Sequence, residues 1–269
     1  IPMTDDSIHI ILDSNLLGWQ IDLPEPFKKA GDKSLPVHYE MELKSPHKQT
    51  GYLVVGSALQ SSFEVNNGLI NRMIVLLGEN WTGELPPEGL WVQGHLDNMN
   101  IDEWLPWLRP INKNKAPQNV ASVMPKLQSF SVSFDDMAYW GYKLHNVRLG
   151  YERLDQASRF QITSNDLNGE ILWPFDAQKA VKLNIQSLNV PFAVSTTRAS
   201  PKKIMPSTDW AIPVVDIDVK ELSSKAWPRL QTSQFNATLK PNSEGITLQR
   251  IALKNPDFTM EGTLDWQWR

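Results

Sequence analysis

The chain has 269 residues, of which 41% are hydrophobic and 21% charged, so it can bury a substantial core and is not expected to be disordered. Its net charge of −4 and its scattered basic residues exclude the general attraction of a basic protein to nucleic acid. It contains no cysteine, which excludes disulfides, thiolate metal ligands and a cysteine nucleophile.

Apolar and polar residues alternate with a period of two along the whole chain, which is typical of strands with one buried face. Turn-forming sequences such as Asn66-Asn67-Gly68 separate the runs, and connections that short favour antiparallel neighbours. We therefore predict an all-β, mainly antiparallel fold. The predicted strands lie near 7–12, 16–23, 37–44, 50–65, 69–77, 89–97, 129–134, 144–151, 158–164, 180–190, 214–219, 232–240, 245–253 and 258–266.

One short helix is predicted around 101–108, where Ile101, Trp104, Leu105 and Leu108 have helical spacing and Asn100 or Asp102 could serve as N-cap. Pro106 should keep this helix short, because proline inside a helix removes a backbone hydrogen bond. Trp104 and Trp107 are predicted to close the end of a groove or to dock a partner. The polar stretches 113–118 and 197–209 are predicted to be linkers.

A weak internal repeat relates residues 125–173 to residues 213–266, since both run from a proline through several strands to a closing Gly-x-x-x-Trp pattern. This layout predicts three β modules in one continuous sheet: 1–110, ending in the short helix, 111–196 and 197–269.

The alternation predicts a large apolar face, which must be covered by a second sheet, by curvature, by a helix or by a ligand. Alternation shows that a face is buried but not what buries it, so ordinary core remains the alternative role for each residue. The candidates for lining a lipid groove are Phe130, Val132, Phe134, Val147, Leu149, Phe160, Ile162, Ile171, Ile217, Val219, Phe235, Leu239, Ile246, Leu248, Phe258, Met260 and Leu264.

Four segments, in order, resemble elements of the AsmA-like, YhdP-type family, which is related to TamB. They are the strand-DLP-x-P-Lys element at 17–29, the pattern GLWVQGHLDNMNIDEWL at 89–105, IPVVDIDV at 212–219 and LKNPDFTMEGTLDW at 253–266. The resemblance implies an elongated curved β-sheet, folded like a taco, whose apolar groove carries lipid. It also implies that the chain is an internal fragment of a much longer protein.

The resemblance further implies a non-enzymatic segment of a periplasmic bridge that moves phospholipid between the inner and outer membranes of a Gram-negative bacterium. The expected partners are phospholipid acyl chains, the remainder of the same long chain with its inner-membrane anchor, and outer-membrane or periplasmic proteins. No cofactor or metal is expected, because the five histidines are far apart in sequence and no catalytic motif occurs.

Two alternatives to a lipid carrier remain open. The first is a carbohydrate-binding β-sandwich that stacks sugar rings on Trp81, Trp91, Trp140 and Trp227, all predicted to lie near turns. The second is a structural spacer without a ligand. Exposed apolar area distinguishes them: an open groove favours lipid, a flat ring of exposed tryptophans favours sugar, and a closed sandwich favours a spacer.

Overall fold

The computed structural model describes residues 7–45, 47–78, 84–108, 125–139, 141–190, 213–224, 227–242 and 245–267. The chain forms two compact units, Ile1–Arg153 (unit 1) and Leu154–Arg269 (unit 2). Within each unit the strands hydrogen-bond to one another in chain order. Among the described residues, no helix combines the length and the apolar character that crossing a membrane requires.

Unit 1 contains eight described strands and the short helix. Most neighbouring strands pair antiparallel, but β5 with β6 and β6 with β7 pair parallel. Among its described residues β1 and β8 do not pair, so this sheet is not closed. The elements are β1 (Ile8–Ser14), β2 (Val37–Ser45), β3 (Lys48–Val55), β4 (Leu59–Asn66), β5 (Leu69–Leu77), β6 (Gly89–Asn100), α1 (Ile101–Leu108), β7 (Leu127–Tyr139) and β8 (Tyr142–Arg153).

Unit 2 continues the same pattern with one parallel pair, β11 with β12, among otherwise antiparallel neighbours. A 3-10 turn at Pro228–Leu230 precedes β13. Its strands are β9 (Ala157–Thr163), β10 (Leu167–Pro174), β11 (Val181–Val190), β12 (Val215–Ser224), β13 (Ser233–Asn242), β14 (Gly245–Lys254) and β15 (Thr259–Gln267).

Local sequence explains several of these boundaries. Asn67 and Gly68 join β4 to β5 with φ angles of 52° and 78°, the positive values that a type I′ hairpin requires at both central residues. Asn100 caps α1, since its Oδ1 accepts from the backbone N–H of Asp102 (3.2 Å) and its Nδ2 donates to Glu103 (2.9 Å).

The prediction of an all-β, mainly antiparallel fold with one short helix is confirmed. Two strand predictions were wrong in detail. Residues 16–23 lie in the β1–β2 connection, where Ile21 forms an isolated bridge with Lys29, and 50–65 divides into β3 and β4. The predicted linkers at 113–118 and 197–209 lie outside the described residues, and the three-module division stays a prediction.

Candidate functional site

The sheet register of unit 1 places one set of side chains on a single face, because paired residues on neighbouring strands point to the same side. For example, Ile10 pairs with Met41, Met41 with Gly51, and Gly51 with Phe63. This set is the apolar face of unit 1. Its apolar members are Ile8, Ile10, Leu12, Val37, Tyr39, Met41, Leu43, Gly51, Leu53, Val55, Leu59, Phe63, Val65, Met73, Val75, Leu77, Leu90, Val92, Gly94, Leu96, Phe130, Val132, Phe134, Val147, Leu149 and Tyr151.

Few polar side chains occupy the register positions of this face. Ser14 and Gln49 lie near its ends on β1 and β3, and Ser61 lies between Leu53 and Val75. Ser61 is buried, and its Oγ has no hydrogen-bond partner. On β6–β8 the same register continues into Asn98, Asp136 and His145. The face is therefore apolar across eight strands except at Ser61 and at its polar ends.

Burial differs sharply along the apolar face of unit 1. On β1, Ile8, Ile10 and Leu12 are 62%, 46% and 54% exposed, and the large side chains on β2–β5 are half-buried. The face is more closely covered further along the chain. Its buried large side chains are Leu96, Val132, Phe134 and Val147, all on β6–β8.

An aromatic pair lies across the more open part of this face. The rings of Tyr39 on β2 and Phe63 on β4 stack with centroids 6.5 Å apart and an interplanar angle of 25°. Between them lies β3, where Gly51 provides no side chain. The Phe63 ring lies directly over Gly51, so a Cβ atom at that position would be 2.2 Å from Phe63 Cζ.

The opposite face of β1–β5 carries charge. Glu64 on β4 is buried there and accepts from Arg72 Nη2 at 2.8 Å, with Lys48 Nζ at 3.3 Å. The hydrogen bond from Arg72 lowers the pKa of Glu64 to about 2, although desolvation acts in the opposite direction. Asn66 and Asn71 also donate to this carboxylate. Glu64 therefore remains ionised at neutral pH.

Polar contacts continue along this charged face of β1 and β2. His38 Nδ1 lies 2.7 Å from Asp13 Oδ1, and Lys44 Nζ lies 3.2 Å from Glu42 Oε2. Charges on one side and large apolar side chains on the other make this part of the sheet amphipathic. The charged face also carries apolar residues: Ile11 lies on it and is 60% exposed, and Ile74 and Leu76 on β5 are buried on it.

Unit 2 has an apolar face of the same kind. Its edge strands β9 and β15 expose Phe160, Met260 and Leu264, and β10 exposes Trp173, whereas Val219 on the central strand β12 is buried. The members in register are Phe160, Ile162, Gly169, Ile171, Trp173, Val181, Leu183, Ile185, Val215, Ile217, Val219, Phe235, Ala237, Leu239, Ile246, Leu248, Leu253, Met260 and Leu264.

The opposite face of unit 2 is polar. Thr238 Oγ1 donates to Asp216 Oδ1 at 2.8 Å, and Arg250 Nη2 lies 3.4 Å from the same oxygen. Arg250 has a φ of 52° and lies at a register shift between β14 and its neighbours. An irregular backbone position therefore places this cation beside Asp216.

Helix α1 contacts a distant part of unit 1. Trp104 Nε1 donates to the carbonyl oxygen of Glu25 at 3.2 Å, and the Trp104 ring meets the Phe27 ring edge-on at 5.9 Å. Glu25 and Phe27 belong to the β1–β2 connection, so this contact joins the two segments that follow β1 and β6. Trp107 is 54% exposed. The prediction that these tryptophans close a groove end or dock a partner stays a prediction.

The structure brings nearly all predicted groove residues onto the two apolar faces. Phe258 differs, because it lies in the turn between β14 and β15, where its N–H donates to Asn255 Oδ1 at 2.8 Å. Val132, Phe134, Val147 and Val219 are buried on their faces, which favours the core role for these four. Whether the other candidates line a lipid groove stays a prediction.

Sequence reasoning missed the apolar residues of β1–β5. The alternation of Val37, Tyr39, Met41 and Leu43 with His38, Glu40, Glu42 and Lys44 was a clear signal. On β1 the signal was weaker, because Ile11 interrupts the polar positions.

His95 lies near two carboxylates, Asp97 on the same strand and Asp135 on the neighbouring strand β7. His95 Nε2 is 3.5 Å from Asp135 Oδ1 and 3.9 Å from Asp97 Oδ1, and the three could hold a metal ion. All are solvent-accessible, and exposed ion pairs of this kind are common surface features.

Two of the four tryptophans considered for sugar stacking lie among the described residues. Trp91 lies on β6 in unit 1, whereas Trp227 lies in unit 2, where it is 59% exposed. Trp81 and Trp140 lie outside the described residues.

Two surface cavities among the described residues lie beside polar side chains. One of about 420 Å³ is lined by Asp13, Ser14, His38 and their neighbours at the ends of β1–β3, and one of about 350 Å³ lies beside Asp216 and Arg250. Neither contains the exposed apolar side chains of β1 or β15.

These features define a class of protein: open β-sheet units in which one face is apolar and partly uncovered while the other is polar. A family model described as YhdP protein matches residues 1–269, and the chain belongs to the YhdP family. This is a bridge-like lipid-transport family of the bacterial envelope, and it is not a catalytic one. No curated protein and no solved structure matches the chain.

Proposed function

We propose that this chain is a non-enzymatic segment of a periplasmic bridge and that the apolar faces of both units hold phospholipid acyl chains. The observation that carries the proposal is the exposure of Ile8, Ile10 and Leu12, which form one edge of an apolar face continuous through β8. Isolated exposed apolar residues are ordinary, but a continuous exposed patch usually marks a binding surface.

Acyl chains suit this surface chemically. They need no hydrogen-bond partner, and each methylene withdrawn from water contributes about 0.8 kcal/mol. The charged groups lie on the other face of β1–β5, where Glu64 pairs with Arg72 and Lys48. The polar head groups would then remain in water, so recognition would depend mainly on the acyl chains.

Transport between membranes extends the proposal beyond this chain. The phospholipid would move from strand to strand along the apolar faces, between an inner-membrane anchor elsewhere in the same polypeptide and the outer membrane. The remainder of the long chain and outer-membrane or periplasmic proteins would complete the path. The family membership supports this role.

Photo-crosslinking at two neighbouring isoleucines tests the lipid contact. Ile10 and Ile11 have similar exposure, 46% and 60%, but pair with Met41 and Glu40 and so point to opposite faces. With a photoreactive amino acid at Ile10 in the full-length protein, we expect crosslinked phospholipid by mass spectrometry. The same probe at Ile11 should give little. Equal labelling at both positions, or none at Ile10, would contradict the proposal.

A charge in unit 2 tests transport itself. Leu264 is 53% exposed on its apolar face, so Leu264→Arg should fold normally yet obstruct acyl chains. The adjacent Thr263→Arg, on the other side of β15, is the matched control. We expect loss of outer-membrane phospholipid supply only for Leu264→Arg. Full transport by that variant, at normal protein level, would argue against acyl chains passing this position.

A further inference from the structure

Gly51 occupies the central position beneath the aromatic pair of unit 1. It pairs with Met41 on β2 and with Phe63 on β4, so the three lie in one row across the sheet. A Cβ atom at Gly51 would lie 2.2 Å from Phe63 Cζ, 2.5 Å from Cε2 and 2.8 Å from Cε1. The ring thus occupies the volume that any other residue's Cβ would fill.

The orientation of the Phe63 ring depends on the space that a side chain at residue 51 would fill. Phe63 reaches across β3 toward Tyr39, and the two rings stack at 25°. Both residues are half-buried on the apolar face, as are Leu53 and Val55 beside them. Because the ring lies over the backbone of Gly51, it covers the sheet instead of standing upright from it.

We infer that the absence of a side chain at Gly51 keeps the Phe63 ring flat and so leaves clearance for acyl chains to cross β2–β4. This inference rests on the proposed lipid-carrying function. A side chain at Gly51 displaces the ring away from the sheet, because the backbone lies on its other side. The displaced ring then occupies the space through which the acyl chains pass.

The displacement is compatible with folding. The atoms that approach Gly51 belong to the end of a side chain that can turn about its own torsions. The φ of Gly51 is not in the left-handed region, so alanine meets no backbone strain there. Obstruction of the apolar face is therefore separable from loss of the sheet.

The experiment uses a photoreactive amino acid at Leu53, two residues from Gly51 on the same face, in the full-length protein. We expect Gly51→Ala to reduce phospholipid crosslinking several-fold with little change in melting temperature. The double variant Gly51→Ala with Phe63→Ala should recover crosslinking, because it removes the displaced ring. Gly262→Ala on β15 is the control glycine, since a Cβ there meets no atom within 4 Å.

The outcomes separate this inference from the proposed function. If the parent protein crosslinks no phospholipid at Leu53 or at Ile10, the proposed function fails and the inference fails with it. If the parent crosslinks lipid and Gly51→Ala does so equally, only the inference is overturned. A Gly51→Ala effect that the double variant does not reverse also overturns it.

The single variant Phe63→Ala keeps the inference testable if Gly51→Ala does not fold. Removing the ring from a normal Gly51 background should leave crosslinking at Leu53 equal to or above the parent level. A fall would show that the ring itself holds the lipid, which contradicts a role in clearance.

Discussion

In unit 1 the apolar face on β1–β5 leaves large side chains half-buried or exposed, whereas the same face on β6–β8 buries Leu96, Val132, Phe134 and Val147. The two parts share one register and similar residue types. They differ in what covers them. The buried part acts as the core that holds the sheet together, and the uncovered part is available to a ligand. Mutations should therefore affect stability in one part and lipid contact in the other.

The largest expected effect is in the buried part. Phe134→Asp removes a ring that is 3% exposed and places a carboxylate among apolar side chains, so unit 1 should lose about 4 kcal/mol or more. Leu12→Asp, on the same face but 54% exposed, should cost less than about 1 kcal/mol. Urea denaturation measures both. Equal losses would remove the distinction between the two parts.

The next effect concerns the charged face behind β4 and β5. The pKa of Glu64 is about 2 in the folded chain, against an ordinary value of 4.5. Its contribution, about 1 to 3 kcal/mol, is therefore present above about pH 5 and lost as the pH falls toward 2. Urea denaturation from pH 7 to pH 3 should show a steeper loss for the parent than for Glu64→Gln. Parallel curves would contradict the pairing of Glu64 with Arg72.

A smaller effect is expected at the contact between α1 and the β1–β2 connection. Trp104→Ala removes the hydrogen bond to Glu25 and the ring contact with Phe27, together worth about 1 to 2 kcal/mol. Hydrogen exchange should increase in residues 15–36 more than in β7. Trp107→Ala, which removes an exposed ring, is the control and should leave the exchange of 15–36 unchanged. Equal exchange in both variants would show that the contact contributes nothing.

The smallest effect on stability is expected at the exposed edge. Ile10→Arg and Ile11→Arg should each change the free energy of unfolding by less than about 0.5 kcal/mol, because both side chains already contact water. Only Ile10→Arg should reduce the amount of phospholipid that copurifies with the protein. A large destabilisation by Ile10→Arg would show that β1 belongs to the core, and would extend the buried part across the whole face.

Period-two alternation was sufficient to predict most strands and the all-β class, and all predicted groove residues except Phe258 lie on the apolar faces, because strand geometry maps alternate residues onto one side. The candidates did not include the apolar residues of β1–β5. Alternation could not distinguish the buried Val132 from the exposed Leu12, because both are apolar residues at alternating positions. They differ only in the tertiary contacts that cover their side chains. The helix at Ile101–Leu108 was predictable from spacing and its Asn100 cap.

Other features depended on contacts that sequence spacing does not show. Residues 16–23 alternate like a strand, yet this segment belongs to the connection that reaches Trp104. Similarly, nothing local to Gly51 indicates that a ring from β4 lies over it. The convergence of His95 with Asp135 also depends on the parallel pairing of β6 with β7.

The chain-order pairing of strands has a consequence for how each unit forms. Every strand in a unit hydrogen-bonds to the strand before it, so no strand must wait for a distant segment to be synthesised. Such a sheet can grow from its first hairpin by successive additions, as in repeat proteins whose stability is a sum of nearest-neighbour terms. The slow steps should be the additions of β6, β7 and β12, because parallel neighbours require a long connection to return across the sheet before pairing.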